Sequence, residues 1–202
     1  MVAVGVTRSR VDRYWTQFLE TMPATSPRAR KYDWVFHFGS KRSAREISDL
    51  VLRGVKTATG SLKWEYDAKG KGIPKPGDLC VITDGRGHPV CIIEDMEITV
   101  VPYERLDERF AWDSGEGDRS LEGTRRGYWN YVVAESTRLK RRPTRKTPLV
   151  CEWFRVVYKE SLREGGGSGT HPAKATRRRP SPDGRGGARP RRRSRSTKSR
   201  PR

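Results

Sequence analysis

The chain predicts an α+β domain built on a curved or closed β-sheet with flanking helices, followed by a disordered basic C-terminal tail. Three observations lead there. Apolar runs that read as strands, at residues 32–38, 79–83, 89–101 and 149–158, follow one another with few helices between them. Turn signals separate them, notably Pro76-Gly77-Asp78 and Asp84-Gly85-Arg86-Gly87. The composition then changes abruptly near residue 163, from mixed to Arg-rich. Strands joined by turns rather than crossover helices favour an antiparallel sheet that bends over its own core.

Taken in order, residues 9–20 read as a helix, because Val11, Trp15, Phe18 and Leu19 recur at i, i+4, i+7 and i+8. Residues 22–30 hold two prolines and read as a loop, so that 1–30 is expected to be a helix plus linker. In residues 32–38, Trp34, Phe36 and Phe38 point one way and Val35 and His37 the other, and Gly39 stops the strand. Ser43 stands where it can cap a helix starting at Ala44, with Glu46 at capping-box spacing. The apolar face of that helix is Ala44, Ile47, Leu50 and Val51, and Gly54 ends it. Residues 64–73 read as an irregular loop. The turn at 84–87 closes a hairpin that sets Cys80 opposite Cys91 if Gly85 and Arg86 are its loop residues. Residues 106–111 suggest a short helix, 120–136 a second long one, and 149–158 the last strand.

Charge divides the chain. Residues 165–202 carry 13 Lys or Arg against a single acid, Asp183, and no aromatic side chain. The tail therefore holds +12 of the formal +19, and the body +7. A segment of that composition cannot bury enough surface to offset its ordering entropy, so 163–202 is expected to be disordered. Arg177-Arg178-Arg179 and Arg191-Arg192-Arg193 would displace counterions from a polyanion and bind it in a salt-sensitive, sequence-independent way. Phosphorylation of Ser194, Ser196 or Ser199 would weaken that grip.

No stretch approaches the ~20 apolar residues needed to cross a bilayer, and the first five residues are too short for a secretory core. No membrane partner is expected. Cys80, Cys91 and Cys151 lie in apolar runs without a CxxC, which predicts reduced core thiols in a cytoplasmic protein. His37, His88 and His171 do not cluster at ligand spacing, so neither a metal nor another cofactor is expected.

The most informative segment is Gly54-Val55-Lys56-Thr57-Ala58-Thr59-Gly60-Ser61-Leu62. It places a lysine, two threonine hydroxyls and flexible glycines directly after an amphipathic helix. The lysine can serve as a base for a hydroxyl, or grip a phosphate or carbonyl oxygen. In an extended strand Lys56 and Thr59 would lie on opposite faces, so joint action needs a turn or helix between them; which of Thr57 and Thr59 faces a ligand stays open. The expected counterpart is the acidic turn Gly115-Glu116-Gly117-Asp118, in which Asp118 or Ser120 caps the next helix and Glu116 has no obvious local partner. Trp64 and Tyr66, with Lys63 beside them, either stack a base while the cations hold its phosphate or form an aromatic loop covering one end of the curved or closed sheet. Arg125 and Arg126 open a basic run that continues through 138–146.

Six segments in order resemble the ASCH domain, a branch of the PUA-like β-barrel superfamily. They are Trp34-Val35-Phe36-His37-Phe38-Gly39; Gly54-x-Lys56-Thr57-x-Thr59; Pro76-Gly77-Asp78; Gly87-x-Pro89-Val90-Cys91-Ile92-Ile93; Gly115-Glu116-Gly117-Asp118-x-Ser120-Leu121; and Cys151-Glu152-x-Phe154-x-Val156-Val157. The resemblance implies that residues 31–162 form a PUA-like barrel that binds RNA or a modified nucleotide in a cleft under the helix preceding Lys56. It also implies a rival activity, hydrolysis of an acylated pyrimidine nucleoside such as acetylcytidine, or cleavage of RNA, with Lys56 as base, Thr59 as nucleophile and Glu116 as carboxylate. Where relatives carry a Trp and a His on the helix after the acidic turn, this chain has Thr124 and Tyr128, which removes a proton carrier.

Overall fold

The structure, a computed structural model, describes residues 3–23 and 31–159, with side chains from residue 9; the tail expected at 163–202 lies outside the described residues. Its elements are α1 (Ala3–Glu20), β1 (Trp34–Phe36), α2 (Ala44–Leu52), β2 (Ala58–Leu62), α3 (Lys63–Ala68), β3 (Leu79–Thr83), β4 (Pro89–Pro102), α4 (Glu108–Ser114), α5 (Leu121–Arg138) and β5 (Pro148–Lys159), with a 3-10 turn at Tyr103–Arg105.

The five strands make one mixed sheet in the order β1-β3-β4-β5-β2. Only the β1–β3 pair is parallel. Long β4 and β5 form the spine, and register shifts at Ile92/Ile93 and Asp95/Glu97 put bulges into it. Bulges bend and twist a strand, and the sheet curls into a half-barrel flanked by helices.

Both faces of the centre are covered, which explains why β3 is an unbroken apolar run rather than an alternating one. Leu79 and Val81 pack with Ile92 against Val11, Tyr14, Trp15 and Phe18 of α1. Cys80 and Ile82 point the other way, into a cluster with Phe38, Ile47, Val51, Cys91, Ile93 and Phe154. A third cluster joins Ala58 and Leu62 of β2 to Leu106, Phe110, Val132, Leu149 and Cys151. Each large side chain so buried contributes roughly 1.5–3 kcal/mol. All three cysteines are free and buried.

Strand β2 ends the sheet, and α5 covers its open edge. The Leu62 N–H donates to the Tyr131 hydroxyl at 2.9 Å, and the Tyr128 hydroxyl bonds the Gly60 backbone. Gly60 makes this approach feasible, because a Cβ there would stand 2.8 Å from Tyr128 Cε1.

Three local expectations need correction. Residues 63–68 are helical, not a loop; Lys63 pairs with Asp67 and Lys69 with Glu65 at i,i+4, and no Gly or Pro interrupts 61–69, the breakers beginning at Gly70. Ser43 does not cap α2, because its backbone is already helical and its hydroxyl bonds Ser40. The hairpin places Cys80 opposite Ile93 and Cys91 opposite Ile82. Its loop is Gly85, Arg86 and Gly87, closed by the Asp84 N–H on the His88 carbonyl, and a bulge at Ile82/Thr83 moves the register further. The Asp84 carboxylate, accepting from the Arg86 and His88 N–H groups, selects the longer loop.

Candidate functional site

The site grows from the way α2 stops. Gly54 adopts the left-handed conformation, and the Val55 and Lys56 N–H groups both return to the Leu50 carbonyl. The chain then turns before β2 begins. Thr57 is locked by its backbone: its N–H donates to Asp113 O at 2.7 Å and its carbonyl accepts from Phe154 N at 2.9 Å. Lys56 therefore precedes the strand, and its side chain passes inward to only 1% exposure.

A second turn meets it. Helix α4 is capped by Asp107, whose side chain accepts from Phe110 N, and it ends at Gly115 in the left-handed conformation. Gly115 lies against the Val55-Lys56 backbone, so close that a Cβ would stand 2.4 Å from Val55 O. That contact delivers Glu116 to the lysine. Lys56 Nζ donates to Glu116 Oε1 at 2.7 Å and to the Ser114 carbonyl at 3.1 Å, 5.4 Å from the centre of the Phe38 ring. Glu116 keeps 45% of its side chain exposed, so the pair joins the interior to the surface. Burial pushes the Lys56 amine below its usual range, and the charge and hydrogen bond of Glu116 oppose this. A cavity of about 240 Å³ adjoins the lysine, bordered by Val51, Leu52 and Gly54 of the α2 end, by Thr57 and by Phe154.

Thr59 sits within β2, opposite Glu152 on β5. Its hydroxyl interacts with Tyr128, which also feels the charge of Glu116. Burial raises the Tyr128 phenol well above its usual range, with Glu116 adding to the effect, so it stays protonated at neutral pH. Lys56 is thus bonded to Glu116 and Tyr128 to Thr59, with the charge of Glu116 acting between the two pairs; the lysine's described hydrogen bonds go to Ser114 and Glu116 rather than to Thr59.

The sequence profile of the ASCH domain matches residues 34–158. The chain belongs to the ASCH-domain family. An ASCH domain from Lactobacillus crispatus JV V101, known by crystal structure, shares 33% identity over 74% of this chain and 95% of its own, with a TM-score of 0.68. A protein from Enterococcus faecalis V583 shares 26% identity over 83% of this chain and 99% of its own, with a TM-score of 0.67. No curated protein matches the chain. Among the described residues, no helix is long and apolar enough to cross a membrane, and no group of His, Cys, Asp and Glu is arranged to hold a metal.

The remaining candidate residues of this ASCH domain are spread more widely. Lys63 is paired with Asp67 on α3, and Trp64 lies under the Arg141 guanidinium at 5.0 Å. Tyr66 is buried, its hydroxyl donating to Glu152 Oε1 at 3.1 Å. Asp118 accepts from the Ser120 hydroxyl and N–H, which hold its carboxyl below the usual range, while Ser120 itself caps α5 through Gly123 N. Arg125 donates to the carbonyls of Glu104 and Leu106 and so ties the 3-10 turn to α5. Arg126 lies 3.7 Å from Glu122 on the exposed side of the same helix. His37 is half-buried beside the Phe38 carbonyl.

Two acids escape a reading of the sequence. Asp95 and Glu152 are 1% and 3% exposed, with Cys80 Sγ donating to Asp95 Oδ2 at 3.6 Å and one Asp95 oxygen unbonded within the protein. Desolvation raises Asp95 to about 7 and Glu152 to about 8. The available signal is an acid inside an otherwise apolar strand, as in Ile92-Ile93-Glu94-Asp95 and Val150-Cys151-Glu152.

Proposed function

We propose that this ASCH domain binds RNA or a modified nucleotide where Lys56 and Glu116 meet, and that the Arg-rich residues beyond 163 add sequence-independent grip. The observation that carries the reading is the joined pair: a fully buried lysine, itself bordering a cavity, bonded to a half-exposed carboxylate. A carboxylate so placed accepts base N–H groups, and the buried lysine behind it fixes its position. The net charge of +19 favours a polyanionic partner. Titrating labelled RNA with the full chain and with a chain lacking 163–202, at two salt concentrations, tests this. The full chain should show the steeper salt dependence, and Lys56→Gln should weaken the shorter chain about tenfold, as losing a charged hydrogen bond does. Absence of RNA affinity from both chains rejects the reading.

A second reading follows from the depressed Lys56 amine. A lysine whose amine is pushed below its usual range by burial gives up its proton more readily and can act as a base. On an acylated pyrimidine nucleoside such as acetylcytidine, Thr59 Oγ would attack the acyl carbon as Lys56 takes its proton. Lys56 would pass that proton through Glu116 to the departing nitrogen, and water would then hydrolyse the acyl-threonine ester, releasing the acid and restoring the Thr59 hydroxyl. This requires Lys56 to exchange Glu116 for Thr59 as its partner. Turnover of acetylcytidine, or of labelled RNA, should fall at least 100-fold in Lys56→Ala on the usual scale of acid–base catalysis; equal turnover in the two proteins discards the hydrolase.

A further inference from the structure

Beside the Lys56–Glu116 pair, the same turn builds a second feature. Trp112, on α4, is 60% exposed, the most exposed large apolar side chain among the described residues. The Arg119 guanidinium lies 3.8 Å from the centre of its ring and donates through Nε to the Trp112 carbonyl at 2.9 Å. Arg119 reaches this position from a left-handed backbone, φ 59, which is otherwise shown among the described residues almost wholly by glycines. A side chain at that φ costs about 1–2 kcal/mol, and strain of this kind collects where function needs a fixed geometry. The turn is closed by the Arg119 N–H on the Glu116 carbonyl, so Arg119 and the site carboxylate belong to one hydrogen-bonded turn.

We propose that Trp112 and Arg119 form a nucleobase-stacking platform at the rim of the Lys56–Glu116 site, taking an unstacked base of a single-stranded RNA with Arg119 reaching its phosphate. The proposal rests on the RNA-binding reading and assigns it residues. An indole with one face packed by a guanidinium presents the other to a base at little entropic cost, and aromatic and arginine planes are the surfaces on which single-stranded bases stack. The charge needed for the phosphate is available. Glu116 is bonded to Lys56 and Asp118 to Ser120, whereas the described bond of Arg119 uses Nε and not its two terminal amino groups. Arg109 provides the contrast: it also stacks on a tryptophan, Trp153, but its terminal nitrogens are both bonded to Glu97. A protein-docking patch fits poorly, because such patches are contiguous apolar areas of several hundred Å². Here the other exposed apolar side chains, Val35, Met96, Val100 and Val133, sit on β1, β4 and α5, while Trp112 has Asp113 next in sequence and Arg119 on its ring.

Fluorescence anisotropy with the full chain, at about 0.15 M salt where surface electrostatics are partly screened, decides it. The probes are a single-stranded oligouridine, an oligoadenosine, and an abasic ribose-phosphate oligomer of the same length. Trp112→Ala should weaken oligoadenosine binding roughly 5- to 150-fold, the range for one lost base stack, and Trp112→Phe should recover most of it. The abasic oligomer should bind wild type and Trp112→Ala alike, which a merely structural role of Trp112 would not produce. Arg119→Gln should lower the salt dependence by about one phosphate contact. If wild type binds RNA and Trp112→Ala binds equally well, the platform is overturned while the RNA-binding reading survives. If wild type binds none of the probes, both fall. If Trp112→Ala leaves RNA affinity intact and instead changes sedimentation, the surface is a contact between protein chains and the proposal is wrong.

Discussion

Gly115→Ala is expected to destabilise the domain by about 3 kcal/mol or more, among the larger effects of a single methyl group. Two causes add. Gly115 has φ 70, where an L side chain is strained. The new Cβ would also meet Val55 O at 2.4 Å and Lys56 Cα and Val55 C at 2.7 Å, and all of these are backbone atoms that no rotamer can move aside. The α4 end would have to lift from the segment that carries Lys56, separating Glu116 from the amine. A buried ammonium left without its carboxylate is costly in itself. Gly117→Ala supplies the control, because Gly117 has φ 60 but nothing within 4 Å of where the added methyl would lie. It should lose only the conformational part, about 1 kcal/mol. Urea unfolding with unchanged m-values measures both. Near-equal losses in the two variants would show that the close approach of the two turns does not hold the site together.

The same two turns show how far sequence can lead. The helix before Gly54 and the strand at 79–83 are legible because apolar runs and glycine stops act locally, and α5 because Ser120 caps its start. The family resemblance points to a PUA-like fold, and the sheet is a half-barrel of mixed strands. What the spacing cannot supply is the approach of residues 56 and 116, since it depends on Gly115 packing on a backbone sixty residues earlier in the chain. Between Lys56 and Thr59 the chain is a turn leading into a strand, with the lysine before β2 and Thr59 within it. The hairpin register escapes the sequence because an Asp84 side chain, not the glycine count, sets the loop length. α3 is hidden by the breakers that follow it, and Tyr66 reads as a surface aromatic until its hydroxyl is seen on Glu152.

Glu152 and its neighbours make stability fall as pH rises, the reverse of the behaviour of a salt-bridged carboxylate. Glu152 sits on β5, bonded to Tyr66 of α3 and close to the charge of Asp95 on β4. Asp95 in turn faces Cys80 of β3 and feels Asp78 and Asp33. Burial is the main cause of both shifts, to about 8 for Glu152 and about 7 for Asp95, from ordinary values of 4.5 and 3.8. The folded protein therefore holds protons that the unfolded chain has already released. The stability these two groups contribute is fully present below about pH 4 and declines as pH climbs through 7 and 8, levelling off once both have ionised in the folded state. With 1.4 kcal/mol for each unit of difference, the loss between pH 5 and 9 should be on the order of 3 kcal/mol or more, lowering Tm by roughly 10 °C. The two acids titrate as a coupled pair, so the decline should be broad. Glu152→Gln retains an oxygen for the Tyr66 hydroxyl and carries no proton to lose. It should flatten most of the slope and make the protein more stable than wild type at pH 9. Thermal unfolding of both proteins across pH 5–9 checks this, and parallel curves would mean that Glu152 is ionised and solvated in the native state throughout.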